Sequence, residues 1–174
     1  MNRTLKLTLA ALTLAVTAAA HPATLTHTSG LFTFPAVGAD GAMVPPMPVA
    51  GGWAVLETSG GGARQAIHAT GLPAGHAMTS WWVVFNHPER CSGGVCDEDD
   101  VFEHPELAHV SLLYGDGQVV DERGHADFYA YLAQGDTTGA VFGPGLVHTH
   151  SAEIHFVLRS HGRAVDRHVA AQLG

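Results

Sequence analysis

Four imidazoles fall within fourteen residues in the run His148-Thr149-His150-Ser151-Ala152-Glu153-Ile154-His155-Phe156-Val157-Leu158-Arg159-Ser160-His161. Neutral imidazole offers a nitrogen lone pair at ordinary pH, which makes histidine the commonest metal ligand. His148 and His150 form an H-x-H pair, a spacing that puts both rings on one face of a strand. His155 follows, then His161 beside Gly162, flanked by Arg159 and Arg163. Two further histidines, His68 and His76, lie either side of a Gly-Leu-Pro turn and form a second candidate pair. A site built mainly of imidazoles suits copper or zinc. Each ring also has a plain alternative, as a polar surface residue in a chain whose single lysine is Lys6.

Other chemistry is sparse. The chain has no G-x-S-x-G elbow and no H-E-x-x-H, and Ser160-His161, as sequence neighbours, say nothing about a triad. Asp97-Glu98-Asp99-Asp100 offers oxygen ligands for calcium, but without the EF-hand pattern. A separate copper route depends on processing. If the mature chain begins at His21, its free amine and ring would chelate copper together, as in a histidine brace.

The elements that must position these side chains read as strands. Twenty-one glycines and nine prolines scatter between short apolar runs. Phe32 to Phe34, Trp53 to Thr58, Arg64 to Thr70 and Thr79 to Phe85 are strand candidates, the last aromatic and β-branched almost throughout. Gly60 to Gly62 and Gly71 to Gly75 read as turns, and the proline-rich stretch Gly38 to Gly52 as a loop. Asn86 to Glu106 is a long polar loop, of a length that is usually functional or disordered. Ala108 to Tyr114, Gln118 to Asp121 and Gly124 to Ala133 follow as strands, with one helical turn as an alternative over Phe128 to Ala133. Ala152 to Ser160 alternates cleanly: Ile154, Phe156 and Leu158 face the core, and Glu153, His155 and Val157 face away. Short strands at regular spacing predict a single all-β domain, an antiparallel Greek-key sandwich or barrel.

Residues 1 to 20 stand apart. Arg3 and Lys6, the apolar stretch Leu7 to Val16 and the small residues Ala18 to Ala20 have the layout of a secretory signal peptide. Cleavage would leave 21–174 as the folded domain and export it to the periplasm, cell envelope or exterior. An uncleaved anchor is the alternative. Loss of Arg3 and Lys6 takes the formal charge from −8 to about −10, with six arginines against sixteen acids. Such a balance argues against nucleic acid or an anionic membrane as partner. An anionic substrate would need local steering by arginine. In an exported chain the C-x4-C pair Cys91 and Cys96 reads as a disulfide closing a small loop, with a metal site as the looser alternative.

The run Ile67-His68-Ala69-Thr70-Gly71-Leu72-Pro73-Ala74-Gly75-His76 resembles the strand, Gly-Leu turn and strand of copper-zinc superoxide dismutases, and CHRD modules show a similar turn. His109-Val110 through Gly124-His125-Ala126-Asp127 resembles the dismutase central hairpin, and Ala152 to Gly162 the strand that carries a late copper-binding histidine. The resemblance implies a superoxide dismutase-like sandwich with copper as cofactor and superoxide as substrate. Departures are clear. The strand after the Gly-Leu turn reads Thr79-Ser80-Trp81-Trp82-Val83, without the family's H-x-H pair. Cys91 and Cys96 can only close on each other, and the zinc pattern is not recognisable. Copper would then be recruited from His76, His155 and His161 with His68, His148 or His150, while Arg159 or Arg163 draws the anion in. Two alternatives remain: a CHRD-like module binding an envelope partner without turnover, and copper storage or transfer.

Overall fold

The computed structural model describes residues 23–34, 36–37 and 42–174. The expected signal peptide, His21 and part of the Gly38 to Gly52 stretch lie outside them. The strands are β1 (Leu25–Phe32), β2 (Ala36–Val37), β3 (Met43–Val44), β4 (Pro48–Ser59), β5 (Gly62–Ala69), β6 (His76–Phe85), β7 (Val110–Val119), β8 (Ala126–Ala133), β9 (Ala140–Phe142) and β10 (Glu153–Arg163). Two short helices, α1 (Glu98–Phe102) and α2 (Val169–Leu173), complete the chain.

Two antiparallel four-stranded sheets form a sandwich, ordered β1-β4-β5-β8 and β10-β6-β7-β9; β2 and β3 pair as a separate ribbon. The sheets do not close into a barrel. The chain crosses from the first sheet to the second between β5 and β6 and returns between β7 and β8. The fourth of these strands therefore lies beside the first, a Greek-key path.

Period-two alternation builds the core. Ile67, Phe128 and Ala54 from the first sheet meet Met78, Phe156 and Leu158 from the second, while Trp82, Val84 and Leu113 pack with Ala63, Leu132 and Leu146. Trp82 meets Phe156 edge to face at 5.1 Å. Each large side chain buried this way contributes about 1.5–3 kcal/mol. β1 and β10 are the outermost strands on the same side, and between them the sandwich gapes into an apolar groove of about 770 Å³ bordered by Leu31, Phe32, Met78, Phe156 and Leu158.

The second sheet is covered on its other face too. Val83, Phe85, Val110 and Val157 pack under Cys91, Cys96, Val101 and Ala108 from the segment between β6 and β7. Cys91 and Cys96 form a disulfide, with 5.0 Å between their Cα atoms. That accounts for the unbroken apolar run Trp81 to Phe85 in β6: this part of the strand is covered on both faces.

Several sequence expectations shift. The long loop contains α1, because Asp97 caps a helix: its carboxylate accepts from Asp99 N and Asp100 N, and the Asp100 side chain accepts from Asp97 N. The acidic run is thus the first turn of that helix. The strand placed at Phe32–Phe34 ends at Phe32 and begins at Leu25. Part of the expected Gly38 to Gly52 loop is strand, since β4 starts at Pro48, where a strand's first residue tolerates proline. Gln118 and Val119 continue β7 instead of starting a new strand. Phe128 to Ala133 is extended, not helical.

Candidate functional site

The outer face of the second sheet carries His155, Arg159 and His161 among the residues singled out by sequence. Register pairs His155 with Val83, Val157 with Trp81, and Arg159 with Thr79. Beyond Ser160 the register slips: between the pairs Ser160–Met78 and Arg163–His76, one residue of β6, Ala77, faces two of β10, His161 and Gly162. This bulge contains Gly162 at φ 80°, a left-handed conformation that glycine adopts without steric cost.

At this end of β10 the polar side chains interlock. Thr79, 2% exposed, accepts a hydrogen bond from Trp81 Nε1 on Oγ1 at 2.8 Å and pairs through the same oxygen with His161 Nε2 at 2.8 Å. Ser160 Oγ pairs with His76 Nδ1 at 3.0 Å and accepts from Gly162 N at 3.2 Å. Trp81 meets Tyr114 edge on at 5.9 Å, and burial, followed by the charge of Asp116, pushes the Tyr114 phenol above its ordinary range. From α2, Gln172 Nε2 donates to Arg163 O at 3.1 Å and to His161 O at 3.4 Å, which ties the strand end to the helix.

Arg159, His161 and Arg163 are exposed, as is Arg167 just before α2. Among the described residues none of the three arginines has a carboxylate within 4.0 Å; the one arginine that does is Arg90, beside Glu89. Three of the six arginines downstream of residue 20 therefore lie exposed and without a carboxylate partner within nine residues, between the end of β10 and the start of α2.

The other predicted residues are dispersed. His155 faces out from β10 as expected, but its Nε2 donates to Glu153 Oε1 at 2.7 Å and its ring abuts Phe85 at 5.1 Å, toward the disulfide loop. His148 and His150 lie in the exposed turn before β10 instead of on a strand. His68 and His76 are not partners, because the turn between them carries the chain from one sheet to the other. His68 points out from the first sheet, where its Nδ1 donates to Asp127 Oδ1 at 2.6 Å, and it lies on the opposite outer face from His161. Among the described residues no three His, Cys, Asp or Glu side chains are grouped to hold one metal ion. The six expected ligands are therefore not brought together in one group among the described residues.

Sequence reasoning missed Thr79, Trp81 and Arg167. Thr79 and Trp81 read as strand filler because the Trp81 indole bonds Thr79, and Thr79 in turn bonds a histidine eighty-two residues away. Arg167 was legible as the third arginine in nine residues. Comparison with protein-family models, curated proteins and solved structures gives no match. Among the described residues no helix is long and apolar enough to cross a membrane.

Proposed function

We propose that the chain is an exported binding module that takes an anionic ligand at the corner formed by Arg159, His161, Arg163, Arg167 and His76. The observation that carries this reading is the set of three unpaired arginines in a chain with twice as many acidic as basic residues. An arginine left without a carboxylate keeps its five donors free for an anion, and its planar fork matches phosphate or carboxylate oxygens. Thr79, Ser160 and Gln172 fix the strand end from which these groups project. Titration of the mature protein with inorganic phosphate and with polyphosphate tests the proposal. Saturable binding that Arg159→Gln/Arg163→Gln weakens at least tenfold is the expected result; no binding, or binding indifferent to that change, refutes it.

Copper-dependent dismutation of superoxide is the second reading. One observation favours it: register sets His76 opposite Arg163, and His161 bonds Thr79, which register sets opposite Arg159. Both rings thus lie at the end of β10 that carries these arginines, and superoxide is itself a small anion. Metal analysis after copper reconstitution decides it. One copper per chain, superoxide decay, and loss of both in His76→Ala and His161→Ala would support the dismutase; copper that survives both substitutions would remove it.

A further inference from the structure

The opposite side of the sandwich presents a second surface. Strand register aligns three rows across the outer face of the first sheet: Trp53, His68 and Asp127; Val55, Ala66 and Tyr129; Glu57, Arg64 and Tyr131. Antiparallel sheets that face water normally alternate polar residues outward. Here the outward positions include Trp53, Tyr129 and Tyr131, which are 40%, 63% and 51% exposed.

Two of these rings, Trp53 and Tyr131, are held in place. Trp53 stacks on His68 at 5.8 Å with 27° between the planes, and His68 is fixed by its bond to Asp127 and by His125, whose ring meets it edge on at 5.7 Å. Tyr131 donates its hydroxyl to Gly61 O at 2.9 Å, and the Arg64 guanidinium lies 5.1 Å from the centre of its ring. The small side chain of Ala66 lies between the Trp53 side and the tyrosine side, so the face has a shallow floor with aromatic walls. Rings fixed before binding lose little entropy when a ligand stacks on them.

We infer that this face binds a neutral polysaccharide. The flat apolar side of a pyranose ring stacks on an aromatic face, and its equatorial hydroxyls need donors and acceptors at the margins. Asp127, Glu57, Arg64 and the Tyr129 hydroxyl provide both. Charge selects the class of ligand. Glu57 stands opposite Arg64, and the carboxylate of Asp127 is engaged by the His68 ring, so the face carries no cluster of like charge for an ionic polymer. Aliphatic residues, which a protein partner's apolar core would seek, are nearly absent, Val55 being the largest among the nine. The site is separate from the arginine corner and does not depend on the reading given to it.

Pull-down of the mature chain on insoluble cellulose and chitin, with a soluble neutral glucan as competitor, tests the inference. Retention on at least one neutral polysaccharide is expected, weakened tenfold or more by Tyr129→Ala/Tyr131→Ala and by Trp53→Ala, and unchanged in Arg159→Gln/Arg163→Gln. Both tyrosines are exposed, so their removal leaves the core intact, and circular dichroism checks the fold of each variant. Failure of retention on every neutral polysaccharide, or retention indifferent to these substitutions, overturns it. So does self-association that the tyrosine substitutions abolish, since that result assigns the face to a second copy of the chain.

Discussion

Thr79 Oγ1 takes the indole N–H of Trp81 on one side and the His161 ring on the other, while being almost wholly buried. Thr79→Val keeps the shape and removes both bonds. A donor left unpaired away from water costs about 1–3 kcal/mol; Trp81 is only half-buried, so the lower end applies. The variant is expected to lose about 1 kcal/mol in urea unfolding, and to weaken anion binding because His161 is no longer held. Backbone positions make a second contrast. Gly143 has φ 89°, and a Cβ there would collide with Val110 O and Ser111 Oγ, two groups that belong to β7 itself. Gly162 has φ 80°, with open space around it. Gly143→Ala should therefore cost about 2 kcal/mol or more, from strain and overlap together, and Gly162→Ala about 1 kcal/mol, from strain alone. Equal costs in denaturant titrations would contradict the packing account of Gly143.

The segment between β6 and β7 is the element whose role was least legible in the sequence. Its composition, polar and acidic, reads as a solvated loop, yet it buries Cys91, Cys96, Val101 and Ala108 against the sheet. The four apolar side chains are spread over eighteen residues without helical or strand period, so periodicity could not find them. By contrast the centres of β6 and β10 were legible, because alternation and β-branched content leave little choice of face, although each strand runs three residues beyond the expected end, to His76 and to Arg163. The turn at Gly71 to Gly75 was also legible, but not that it joins two sheets: sequence says that a chain turns, not which layer it enters. Two consequences belong to this element. Cys91→Ala/Cys96→Ala removes a closed loop worth about 2 kcal/mol by chain entropy and loosens the cover over Phe85. Acid acts on the same loop. The Ser92 amide, opposed by burial and aided by the Asp97 amide, holds the Asp100 carboxyl below its ordinary range. Since the folded value is lowered, this support is complete above about pH 4, and it fades as pH falls through the folded value. Hydrogen exchange at the Ser92 and Asp97 amides should accelerate in that window before the core amides do; uniform acceleration would mean that the loop and sandwich open together.

At the scale of the whole molecule two fields compete at the arginine corner. Sixteen acids against eight basic residues give the chain a repulsive long-range field for anions, while Arg159, Arg163 and Arg167 attract at short range. Their reach differs with salt: the screening length is about 30 Å at 0.01 M and about 8 Å at 0.15 M ionic strength. If the local cluster governs encounter, raising salt weakens an attraction, and association of the wild-type chain with polyphosphate slows. In Arg159→Gln/Arg163→Gln most of that cluster is gone and the acidic remainder governs. Raising salt then screens a repulsion, and association quickens. A reversal in the sign of the salt dependence between the two proteins, read from stopped-flow rates, is the expected outcome. The same slope in both would show that the corner exerts no field of its own, whatever its arginines contact at close range. The sugar-stacking face supplies the internal control, because retention on a neutral polysaccharide should respond little to either salt or the arginine substitutions. A chain with one charged and one neutral surface on opposite sides of a sandwich about two strand layers thick can engage both ligands at once. Binding of polyphosphate should therefore leave retention on cellulose or chitin unchanged, and competition between the two would place them on one surface.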